Sequence, residues 1–108
     1  MPTQLIGRPL LDLSGLRIGT ITAVVNGGDQ PGPDLLVVRT RWYGREWFVP
    51  RVVVSRRRRS VVTPFNRADV ESGLLVSRDR RPPEPADVED LFRHYGLPRS
   101  AAGERLPA

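Results

Sequence analysis

The sequence predicts a small, mainly β domain, an antiparallel barrel of about six short strands with an amphipathic helix at its C-terminal end. Two patterns carry that expectation. Glycines and prolines at 7, 15, 19, 27, 28, 31–33 and 44 break the first fifty residues at intervals suited to short antiparallel strands. Near the other end, Val88, Leu91, Phe92 and Tyr95 stand at i, i+3, i+4 and i+7, the single apolar stripe of a surface helix. The chain has 108 residues, 39% of them hydrophobic and 27% charged, which is room for one domain with a buried core.

The elements follow in order. Residues 7–12 read as the first strand, turning at Leu13, Ser14 and Gly15. The second strand starts at Arg17 and ends near Val25. Its apolar residues Ile18, Ile21, Ala23 and Val25 slip phase between 18 and 21, with Gly19 at the slip. Side chains alternate with period two, so the slip predicts a bulge that bends the strand. Residues 27–33 form a long polar loop. The third strand runs from Asp34 to about Trp42, with Leu36, Val38, Thr40 and Trp42 on one face. A hairpin turn at Tyr43, Gly44 and Arg45 leads back into Glu46, Trp47, Phe48, Val49 and Pro50. Pro50 has no N–H for the ladder, so this strand ends there or lies at an edge. Residues 52–54 and 60–63 are expected to be two further strands around a turn made of Arg56, Arg57, Arg58 and Arg59.

Residues 67–72 have the composition for one helical turn, and residues 74–76 fit either a strand or a loop packed on the core. Residues 84–97 are read as the helix that docks on the barrel. Pro85 suits its first turn, its acids crowd the N-terminal half, and Gly96 and Pro98 end it. The domain organisation expected is thus a barrel with its connector over 1–83, a docking helix over 84–97 and a disordered tail over 98–108.

Charge is distributed by segment. The net charge is +5, all seventeen basic residues are arginine, and lysine and cysteine are absent. That composition excludes a disulfide scaffold, cysteine-based zinc or nucleophile chemistry, and Schiff-base chemistry. Residues 1–55 carry +2, residues 56–81 carry +5 and residues 82–108 carry −2. No apolar run reaches the roughly 20 residues of a membrane span, and the first residues show no basic-then-apolar leader, so a cytoplasmic protein is expected.

Several segments resemble PRC-barrel domains, the small barrels found in the H subunit of photosynthetic reaction centres and in a ribosome-maturation factor. Residues 5–15 look like the family's opening strand and turn, and residues 16–21 like its second strand with an internal glycine. Trp47, Phe48, Val49 and Pro50 look like its strand ending in Val-Pro. Residues 67–71 and 94–97 resemble stand-alone bacterial members, some associated with stress responses. The likeness extends over residues 4–97. Two departures stand out: Ser72 and Gly73 where relatives place Ala-Pro, and four arginines in a turn that is commonly acidic or neutral. The resemblance implies a non-enzymatic module that docks other macromolecules, with no catalytic, cofactor-binding or metal-binding residues.

The residues agree with that implication. His94 is the only histidine, and Asp90 at i−4 beside it is half of a dyad at most. Glycines 27 and 28 do not lead into a helix, so they form no phosphate cradle. Trp42 and Trp47 are expected to face each other across the hairpin, and either ring, if exposed, would anchor a partner. Arg56, Arg57, Arg58 and Arg59, joined by Arg51, Arg78, Arg80 and Arg81, are the main candidate surface for a protein partner or for RNA or DNA. The bland alternative is a solvated turn. A third reading has the acidic helix face at Glu84, Asp87, Glu89 and Asp90 lying over the basic turn and masking it, although the apolar stripe is reason enough for the helix to dock anywhere on the barrel. An open barrel edge or an exposed valine-rich strand would also offer a route to a homo-oligomer.

Overall fold

Apolar residues on both faces of the central strands make one sheet with a core on each side. The computed structural model describes residues 5–26, 33–40 and 44–98. Its strands are β1 (Pro9–Leu11), β2 (Arg17–Asn26), β3 (Asp34–Arg39), β4 (Glu46–Pro50), β5 (Ser55–Arg56), β6 (Val61–Val62) and β7 (Leu74–Leu75). Two helices accompany them, α1 (Arg67–Glu71) and α2 (Pro85–His94). The strands form a single seven-stranded sheet in the order β5-β6-β1-β2-β3-β4-β7. Every pairing is antiparallel except β1 with β6.

The predicted barrel is therefore open, because β5 and β7 do not pair with each other. The physical reason begins at Pro50. After that residue the chain makes a 3-10 turn over Arg51–Val53, where a valine strand was expected, and Val52 is left 63% exposed. The outer strands β5, β6 and β7 are two residues long, too short to supply a closing ladder.

The bulge expected near Gly19 is present, and a second accompanies it. Leu10 pairs with Gly19 while Leu11 pairs with Arg17, which leaves Ile18 unopposed. Ile18 and Ile21, three positions apart, consequently enter the same core. Ile21 pairs with Val38 and Ala23 with Val37, so Thr22 is the second extra residue. Beyond it Ala23 and Val25 reach the second core, and Val24 the first.

β3 departs from the expected one-sided strand. Leu36 and Val38 enter the first core, Leu35 and Val37 the second, and all four are buried. A strand flanked by β2 and β4 and covered on both faces needs apolar residues throughout. The first core joins Leu10, Ile18, Ile21, Val49 and Val61 with Val70 of α1. The second lies under α2. There Val88, Leu91, Phe92 and Tyr95 pack against Leu35, Val37 and Phe48, as the helical stripe predicts. Each such side chain contributes roughly 1.5–3 kcal/mol on burial. Gly96 has φ +71 and ends the helix, with Leu97 N–H donating to Phe92 O at 2.9 Å.

Residues 67–71 do form a short helix. Asn66 Oδ1 accepts from Asp69 N–H at 2.8 Å while Asn66 N–H donates to Asp69 Oδ2 at 3.0 Å, a complete capping box. Residues 74 and 75 make the last strand, against β4. Residues 99–108 of the expected tail and the 27–32 part of the expected loop lie outside the described residues.

Candidate functional site

The basic turn is a hairpin. β5 pairs antiparallel with β6, and Arg57 N–H donates to Ser60 O at 2.8 Å across the turn. Arg56, Arg57, Arg58 and Arg59 are all exposed. Their position follows from β6: Val61 is fully buried beside Leu10, so the polar residues before it are pushed to the outside of the fold. Arg8, which the sequence did not single out, reaches this turn from the start of the chain. Its Nη1 donates to Arg58 O at 3.0 Å, clamping the turn's backbone and adding a fifth guanidinium. Among the described residues none forms an ion pair with Arg57, Arg58 or Arg59.

Three of the other arginines expected at this surface are held elsewhere, while Arg78 is exposed. Arg51 Nη1 donates to Val54 O at 3.2 Å. Arg80 pairs with Glu46 of β4, and Arg81 with Asp79 at 3.0 Å, next to β7 at the other end of the strand order. Long flexible side chains pair with whatever acid the fold brings close, which spacing along the chain does not encode.

Trp47 is the described half of the expected Trp42–Trp47 pair. Its partner on β3 is Val38, and its half-buried ring packs against the first core. Trp42 lies outside the described residues. Phe48, Phe65, Phe92 and Tyr95 belong to the second core or pack against it. Phe65 and Tyr95 meet edge to face at 4.7 Å. No described aromatic ring therefore offers a stacking surface beside the basic turn.

His94 joins the two helices. Its Nε2 lies 2.8 Å from Asp69 O, and since a carbonyl only accepts, Nε2 carries the proton. The fold also brings Ser72 within 3.5 Å of the same nitrogen, and Ser72, Asp90 and His94 line one cleft of about 210 Å³. Sequence spacing gave no hint of this serine. The arrangement does not activate it, because Nε2 is committed to the carbonyl, while the Ser72 hydroxyl bonds Ala68 O at 2.9 Å. Beside His94 the Tyr95 hydroxyl is buried with no hydrogen-bond partner among the described residues. Its pKa is raised, by burial first and by the Asp69 charge second.

The acids of α2 are largely used within the helix. Asp87 Oδ2 accepts from Glu84 N–H at 3.3 Å, and Asp90 pairs with Arg93 at 3.0 Å. Nothing in these contacts requires the acidic face to cover the basic turn. Among the described residues no group of three or more His, Asp or Glu is arranged to hold a metal ion. No helix among them is long and apolar enough to cross a membrane.

No protein-family model matches the chain, and no curated protein matches it either.

Proposed function

We propose that this protein is a non-enzymatic interaction module of the PRC-barrel type, acting in the cytoplasm. It docks an acidic protein segment on the β5–β6 hairpin. The observation that carries the reading is the exposed row Arg57, Arg58 and Arg59, free of acidic partners among the described residues and fixed by Arg8 from below. With the turn's backbone fixed, only side-chain freedom is lost when these arginines meet carboxylates, and their planar forks suit bidentate pairing. The bulged second strand and the Val49-Pro50 strand end support the kinship on which the assembly role rests. An acidic protein is favoured over single-stranded RNA or DNA because single-strand binding usually adds aromatic stacking, and the described aromatic rings are taken up in the two cores.

The test is co-purification from the native cell, with and without nuclease, comparing the native chain with one carrying Ser at all four positions 56–59. A protein partner that survives nuclease and is lost with the substituted chain is the expected result. Loss of the partner on nuclease treatment assigns the hairpin to nucleic acid. Retention by the substituted chain removes the hairpin from the docking surface.

A further inference from the structure

A second basic feature, separate from the hairpin, lies where β2, β3 and α1 meet. Arg17 and Thr20 come from β2, Arg39 from β3 with Thr40 just after it, and Arg67 from the first turn of α1, and they line one cleft of about 240 Å³. No carboxylate is among the described residues that line it. Arg17 Nη2 donates to Thr20 Oγ1 at 2.6 Å, and Arg67 Nη2 reaches Arg17 O at 3.4 Å. Thr20 and Arg39 are direct cross-strand partners. Arg39 also has Glu46 as its partner across β3 and β4, but that carboxylate is bonded to Thr22 and Arg80 and does not line the cleft.

Two features make this more than a cluster of surface charges. The lining includes Gly19, where a Cβ would come 2.3 Å from Arg39 O, so β2 and β3 approach more closely than any side chain permits. Thr40 is only 6% exposed, and its hydroxyl has no hydrogen-bond partner among the described residues. A largely buried threonine and three arginines line one concavity with no acid in the lining, and each guanidinium has more N–H groups than the single bonds described above employ. The volume falls below the roughly 300–1,000 Å³ of sites for larger organic ligands, so the ligand is a single small group.

We propose that the cleft lined by Arg17, Arg39, Arg67, Thr20 and Thr40 is a binding site for a phosphate group. A tetrahedral oxyanion accepts along several directions at once, which suits guanidinium forks and hydroxyls converging from three elements. The site goes beyond the docking role of the hairpin and uses none of the hairpin's residues.

The experiment titrates isotopically labelled full-length protein with inorganic phosphate at constant ionic strength, reading the backbone amides and arginine Nε–H signals by NMR. Saturable shifts centred on Thr20, Thr40, Arg39 and Arg67 are expected. Arg39→Gln and Arg67→Gln should each weaken binding about tenfold, the effect of one charge-assisted hydrogen bond. Thr40→Val should weaken it by about threefold. The three arginines are exposed, so their glutamine variants are expected to keep the native spectrum. A parallel titration with glycerol phosphate tells an esterified ligand, which would bind more tightly, from the free ion. Serine at positions 56–59 should change phosphate affinity by less than about twofold, the small response expected of screened distant charges. Shifts that never saturate, that centre on Arg57, Arg58 and Arg59, or that persist in the Arg39→Gln, Arg67→Gln double variant would overturn the assignment. Apart from shifts centred on the hairpin itself, these results leave its docking role unaffected.

Discussion

Glu46 shows how much one residue can connect. It lies on β4 and accepts from the Thr22 hydroxyl at 2.7 Å, at the second bulge of β2, while also pairing with Arg80. Burial pushes its carboxyl upward, but the Thr22 hydroxyl, Arg80 and Arg39 together outweigh that and hold it below its ordinary value of 4.5. A carboxyl depressed in the folded state contributes stability that is fully present above pH 4.5 and is lost as pH falls through the folded value. Glu46→Gln should therefore cost about 1 kcal/mol at neutral pH, a figure kept small because Arg80 is largely solvated. Urea unfolding of both proteins across the acid range checks this, and the variant should show a flatter acid limb. Arg80 has φ +56, a left-handed conformation uncommon for a side chain of its size, and its N–H donates to Ser77 O at 2.9 Å. None of these contacts is visible in sequence, where Thr22, Glu46 and Arg80 are far apart.

Among the elements, α2 was the most legible. Its stripe, its acidic first half and its glycine stop are local features, and each appears in the structure as the pattern requires. The weight of its four apolar residues differs, however. Phe92→Ala should cost about 3–4 kcal/mol, because a 1%-exposed ring leaves a cavity between helix and sheet. Tyr95→Phe should be neutral or stabilising by up to about 1 kcal/mol, because the hydroxyl it removes is buried without a hydrogen-bond partner among the described residues. Thermal unfolding of the two variants distinguishes these expectations, and a large loss for Tyr95→Phe would show that the hydroxyl has a bonding partner in solution. The strand expected over 52–54 is replaced by a turn for a comparable local reason. Three valines in succession have high strand preference, but Pro50 and the following 3-10 turn rotate the chain away from the ladder.

At the scale of the whole molecule, two cores share one sheet, and β3 is common to both. Removing residues 83–108 would uncover Leu35, Val37 and Phe48 on the face that α2 covers. The truncated chain is expected to keep much of its strand signal in far-ultraviolet circular dichroism, to bind a hydrophobic dye, and to lose a sharp unfolding transition. Sharp unfolding with no dye binding would mean that the second core does not depend on α2. The open edges β5 and β7 are each two residues long, and β5 ends in the arginine turn. Such short edges offer few free ladder groups, and the arginines at the end of β5 repel a second copy of that edge, whereas β7 carries only leucines. The +5 concentrated in residues 56–81 thus separates in space into a hairpin, a cleft at Arg67 and a loop pairing with Glu46.

Whatever depends on near neighbours was already determined by the sequence: the mainly β character, the bend in β2, the end of β4 at Pro50, the C-terminal helix and the exposed turn at Arg56, Arg57, Arg58 and Arg59. Period, turn residues and helix stops act over a few positions, so they can be read one segment at a time. Tertiary structure alone decided whether the sheet closes, which faces of β3 are buried, and which arginines meet. Closure depends on the summed lengths and registers of all the strands. The phosphate cleft depends on Arg17, Arg39 and Arg67 arriving together from three elements. Spacing along the chain has no information about that meeting, because it is produced by the two bulges and by the place where α1 lands on the sheet.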